Sequence, residues 1–139
     1  MPRMIFINLP VRDLPAATAF YKAVGAEQNM QFSDETASCM VLSDTIFVML
    51  LTHAKFRDFA PRPIADASQH TAMLIALSAD SRDEVDGLVR KAGDAGGTAD
   101  VMPPQDHGFM YQRTFADPDG HVWEIVWMDP AAQQQEPAA

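Results

Sequence analysis

Glu124 stands where a carboxylate is costly. It lies inside Val122-Trp123-Glu124-Ile125-Val126-Trp127, a run of β-branched and aromatic residues that reads as a strand. Alternation puts Val122, Glu124, Val126 and Met128 on one face and His121, Trp123, Ile125 and Trp127 on the other. Both faces are largely apolar, which predicts a strand covered on both sides. A charge there must be hydrogen-bonded, paired with a cation or metal, or used chemically. Three roles are open to Glu124: a metal ligand, a general base beside a carbonyl, or a structural carboxylate bonded to Asn8 or Gln112. The residues before the strand, Asp117-Pro118-Asp119-Gly120, form a turn signal. Pro118 presets φ, Asp117 can bond its own backbone, and Gly120 accepts a left-handed conformation.

The other groups with chemistry to offer are few. His53 and His70 read as surface or loop histidines, and His107 lies in Gln105-Asp106-His107-Gly108, ahead of a strand. None of the histidines has the paired spacing of a zinc motif. Cys39 is the only cysteine and reads as a buried apolar residue, so no disulfide framework or cysteine metal cluster is expected. A net charge of −9 over 139 residues argues against nucleic acid and anionic membrane as partners. With no apolar leader-like run at the N-terminus, a reducing cytoplasm is the expected location.

The elements that must position these groups repeat. Residues 4–9 read as a strand, and Asp13 caps a helix that Gly25 ends. Strands follow at 28–32, 36–42 and 45–51, separated by short connections. Residues 53–71, with Pro61 and Pro63, make a linker that has room for a short helix at 54–59. A strand at 72–77 opens the second unit. Ser81 and Glu84 form a capping box, and Gly93, Gly96 and Gly97 punctuate the helix end. Strands at 98–102, 109–116 and 122–127 complete it. Superposition sets Gly25 against Gly93, and residues 44–51 against 119–126. The reading is an α+β fold of two tandem βαβββ modules, 4–52 and 72–129, in a single domain spanning 1–129, with a disordered tail at 130–139.

These modules, with Val11-Arg12-Asp13-Leu14, Phe20-Tyr21 and the closing Asp117-Pro118-Asp119-Gly120-His121-Val122-Trp123-Glu124, resemble the glyoxalase/bleomycin resistance/dioxygenase group, the vicinal oxygen chelate superfamily. The fuller run is similar to a bacterial branch of predicted lactoylglutathione lyases. The resemblance implies a cupped mixed sheet with helices on its outside, and a homodimer in which a second chain completes the cup. It places metal ligands on the first and last strands of each module, at Phe6, Met49, Leu74 and Glu124. Three of these four side chains cannot ligate zinc, nickel or manganese, so no metal site and no cofactor are expected. The cup interior then holds Phe6, Asn8, Met49 and Leu74, with Met110, Gln112 and Thr114 added by the resemblance, and His107 overhanging the mouth. Glu124 is the candidate catalytic residue. The expected function is binding, and in one version transforming, a small and largely apolar molecule by lyase or isomerase chemistry of glyoxalase type. A metal-dependent lactoylglutathione lyase and a non-catalytic, drug-sequestering binder are the alternatives.

Overall fold

Alternation and helix capping build the same unit twice. A computed structural model describes residues 2–133. The first module comprises β1 (Ile5–Val11), α1 (Leu14–Ala23), β2 (Glu27–Asn29), β3 (Ala37–Val41) and β4 (Ile46–Thr52). The helix α2 (His53–Phe59) opens the linker. The second module comprises β5 (Leu74–Ser78), α3 (Arg82–Asp94), β6 (Thr98–Ala99), β7 (Gln105–Asp106), β8 (Met110–Ala116) and β9 (Val122–Met128). Asp13 accepts from the Ala16 N–H at 3.0 Å, and Ser81 Oγ accepts from the Glu84 N–H at 3.0 Å, so both helices start on the capping residues expected. No helix among the described residues is long and apolar enough to cross a membrane.

Departures from the sequence reading have local causes. The strand expected at 28–32 stops at Asn29, whose side chain accepts from the Gln31 N–H at 3.0 Å and turns Met30–Phe32 into a 3₁₀ turn. The strand expected at 98–102 stops at Ala99, because Asp100 takes φ +53°. α3 has 13 residues against 10 in α1, so Gly96 (φ +103°), and not Gly93, is the structural counterpart of Gly25 (φ +104°). Strand β7 was not anticipated, since two residues leave no periodicity to read. Pro130–Gln133 is a helical turn where a disordered tail was expected; the rest of that tail lies outside the described residues.

Each module makes one mixed sheet. The orders are β1-β4-β3-β2 and β5-β9-β8-β6, with β7 also pairing β8. β1 runs parallel to β4 with Asn8 opposite Met49, and β5 runs parallel to β9 with Ala76 opposite Glu124. The repeat therefore holds residue by residue in the sheets. One hydrophobic core spans both modules, joining Leu9, Val48 and Leu50 of the first sheet to Phe115, Trp123 and Ile125 of the second. Helix α1 bridges them: the Phe20 ring lies 5.9 Å from Phe115, and the Tyr21 ring 6.0 Å from Trp123. The faces of the two sheets turned away from this core are left for a site.

Candidate functional site

Within each sheet, predicted interior residues pair on the face away from the core. Asn8 lies opposite Met49, Thr114 opposite Glu124, and Gln112 opposite Val126. The Glu124 carboxylate accepts from Gln112 Nε2 at 3.2 Å, as one of the expected partners required. Asn8, the other, is not brought to it; its amide donates to the Phe6 carbonyl at 3.4 Å. Thr114 is buried, and its hydroxyl accepts from the Met102 N–H at 3.0 Å. It anchors the segment after β6. His107 is exposed on the β7–β8 hairpin, 3.5 Å from Gln105 and beside the Phe109 ring, and makes no hydrogen bond to Glu124. That hairpin is fixed by Arg82, which donates to both oxygens of Asp106 at 2.8 and 2.9 Å and lies over the Tyr111 and Trp127 rings. The guanidinium holds the Asp106 carboxyl down to about 2.

One expectation fails within a single chain. The walls meant to cover Glu124 stand open: Phe6 is 49% exposed and Leu74 56%. The residues at the implied ligand positions, Phe6, Met49 and Leu74, carry no nitrogen or oxygen donor. Among the described residues no three His, Cys, Asp or Glu side chains converge as a metal would need. A divalent metal does not fit this donor set. Cys39 is buried opposite Met49, and burial pushes its thiol up, as for an inert core residue.

Enclosed space lies elsewhere, where the linker crosses from α2 to β5. A cavity of about 130 Å³ sits between Asn8 and Pro10 of β1, Val122 of β9, and Phe56, His70 and Met73 of the linker side. It shares Pro10, Ala65, Ala67 and His121 with a polar chamber of about 180 Å³. An open groove of about 760 Å³ runs beside it, lined by Asn8, Leu51, Phe56, Phe59 and Ile64 among others. Of the predicted site residues only Asn8 lines these spaces. Glu124 lies two residues beyond Val122 on the same face, roughly 7 Å along the strand. Phe56, Phe59, His53 and His70 were not read as site residues. The one available signal was the Phe56/Phe59 spacing on the short helix, which faces two aromatic rings the same way.

The turn before β9 holds the linker in place. Asp117 is buried, accepts from the N–H groups of Asp119 (3.0 Å) and His121 (2.8 Å), and accepts from the Tyr21 hydroxyl at 2.7 Å. Trp123 Nε1 in turn donates to that hydroxyl at 3.0 Å. Burial raises both the Asp117 carboxyl and the Tyr21 phenol. Asp119 accepts from the Arg12 N–H at 2.9 Å, and His121 Nε2 donates to the Pro10 carbonyl at 2.9 Å. Arg12 also reaches Asp66 of the linker at 3.0 Å. Asp66 is held below the usual carboxylate range by Ser68, whose hydroxyl and N–H both donate to it, with Arg12 adding to the effect. Gly120 has φ +98°, and a Cβ there would lie 2.7 Å from the Ala67 carbonyl oxygen. The linker backbone passes over a residue with no side chain.

Comparison with known proteins agrees with this architecture. A family model described as Glyoxalase/Bleomycin resistance protein/Dioxygenase superfamily matches residues 3–125. Similar solved structures include a hypothetical protein from S. aureus, at 28% identity and TM-score 0.75, covering 91% of this chain and 95% of that one. A glyoxalase/bleomycin resistance protein/dioxygenase family enzyme from Burkholderia phytofirmans PsJN follows, at 21% identity, TM-score 0.73, and coverage of 91% and 99%. The fosfomycin resistance protein FosX from Mesorhizobium loti is similar at 17% identity and TM-score 0.69, with 96% and 98% covered. No curated protein matches the sequence.

Proposed function

Because this chain belongs to the glyoxalase/bleomycin resistance protein/dioxygenase superfamily, we propose that it binds a small, largely apolar molecule beside the face of its first sheet turned away from the core, without a complete metal site. The observation that carries this reading is the groove of about 760 Å³ walled by Leu51, Phe56, Phe59 and Ile64. Small-molecule sites are commonly apolar clefts of about 300–1,000 Å³ with few polar groups, and Asn8 is such a group here. If chemistry follows binding, Glu124 is the proton acceptor, and its Gln112 hydrogen bond is what orients it. A sequestering role with no chemistry is the second reading, and it is favoured by the donor set, which offers no metal to activate a substrate.

The apolar edge residues Met4, Ile5 and Phe6 of the first module and Met73 and Leu74 of the second stand exposed. A homodimer that covers them is part of the same proposal, as is a reducing cytoplasm for a chain with one buried thiol. Light scattering at micromolar concentration tests the dimer, and a strict monomer removes it. Binding is tested by screening small apolar compounds against the ¹⁵N-labelled protein. Hits are expected to shift the amides of Asn8, Leu51 and Phe56; shifts confined to other surfaces would overturn the site. For any compound that is turned over, Glu124→Gln is expected to abolish turnover and leave binding intact.

A further inference from the structure

We propose that the ligand carries an acid group, a carboxylate on an apolar body, and that the polar chamber beside the apolar cavity receives it. This rests on the binding site proposed above and names the class of molecule that fits it. The chamber shares Ile64 and Ala65 with the groove, and Pro10, Ala65, Ala67 and His121 with the apolar cavity. A molecule lying in the groove beside these shared walls has the chamber within reach of one end.

The chamber walls include Arg12, His53, Arg57, Asp66, Asp119 and His121. The two arginines offset the two aspartates in formal charge, but their donors and acceptors are unequally committed. Asp66 takes the Arg12 guanidinium and both donors of Ser68, and Asp119 takes the Arg12 N–H. The carbonyl of Pro10 can only accept, so His121 Nε2 carries a proton and is spent on it. Arg57 has no ion pair among the described residues, and His53 stands one helical turn before it on α2. These two donors face the chamber with no acceptor assigned to them. The charge distribution points the same way. Segment 53–71 carries Lys55, Arg57 and Arg62 against Asp58 and Asp66, a net charge of +1 in a chain of −9. A cationic roof on an otherwise acidic molecule attracts a small anion and fixes its orientation by a charge-assisted hydrogen bond.

The test uses 4-phenylbutyrate and its uncharged amide, with dissociation constants taken from amide shifts in the full chain. The acid is expected to bind about ten-fold more tightly than the amide, the usual scale of one charge-assisted hydrogen bond. Arg57→Gln is expected to remove that preference while leaving amide affinity unchanged, and Arg57→Lys to restore part of it. Arg57 is exposed, so the fold is not at risk. Equal affinities for acid and amide, unchanged by Arg57→Gln, would overturn the acid site and leave the apolar site standing. Failure of both compounds to shift Asn8 or Phe56 would overturn the two together.

Discussion

At equivalent places in the two sheets stand Met49 and Glu124, Ala37 and Gln112, Asn8 and Ala76. The pairing register is the same, and the chemistry is not. In the second module the carboxylate at the centre of the face away from the core has a partner across the strand, because Gln112 reaches it. In the first module both positions are apolar, and the linker lies over that side to wall a cavity and an open groove. The turns differ as well: Asp117 is tied to Tyr21, and through the Tyr21 hydroxyl to Trp123, while its counterpart Leu42 packs against the core. A repeated backbone fixes where side chains point and leaves open which of the two faces becomes a site.

The largest way to break this asymmetry is at Trp123, whose counterpart is Val48. Both are buried, but only Trp123 bonds and packs against α1 of the other module. Trp123→Ala is expected to cost about 3–5 kcal/mol, and Val48→Ala about 2 kcal/mol. Urea denaturation measures both, and equal losses would mean that the tie between modules contributes little.

Asp117→Asn comes next, at about 1–3 kcal/mol, since an amide cannot accept from the Tyr21 hydroxyl where it must also serve two backbone N–H groups. This variant also changes the pH profile. The folded-state carboxyl is raised by burial, so the native state holds its proton above the unfolded pKa of about 3.9. Its contribution to stability therefore falls as pH rises from there through the raised value, and Asp117→Asn is expected to lose that slope in denaturation curves taken across the range.

The fold was largely legible for a physical reason: each module advertises itself by strand period, by Asp13 and Ser81 caps, and by a glycine past each helix. The Gln112–Glu124 contact was legible too, because alternation sets the face of Glu124 and the family resemblance turns Gln112 toward it. The enclosed spaces were not. They depend on where a linker with little periodicity lies, and Arg12–Asp66 and Pro10–His121 are contacts between residues 54 and 111 positions apart. Asn29 and Asp100 ended strands through side-chain capping and a left-handed backbone, which hydrophobic patterning does not carry.

Exchanging the central residues sharpens the comparison at smaller cost. Met49→Glu places a charge opposite Asn8 with Ala37 where Gln112 would stand, and is expected to cost about 1–2 kcal/mol. Glu124→Met is expected to stay within about 0.5 kcal/mol of the parent, because the position is only half-buried. Thermal melts of the two variants would contradict this picture if Glu124→Met proved the more harmful. The smallest effect is at Asp106, which has a clamp in the second module and no counterpart in the first. Its carboxyl, held by Arg82 at about 2, adds stability above the unfolded pKa of about 3.9 that is lost as pH falls through the folded value. Asp106→Asn is expected to flatten that acid limb and to leave the melt at neutral pH nearly unchanged.

The crossing of Ala67 over Gly120 has an evolutionary reading. Thr45, the counterpart of Gly120 in the first module, needs no such restriction, since the linker passes only one of the two turns. Substitutions that enlarge position 120 are tolerable only if the chain around 67 shifts outward, which would open the cavity and the chamber together. Across descendants of this sequence, residues 67 and 120 are therefore expected to vary jointly with the size of the ligand accommodated. Thr45 should drift independently of the linker.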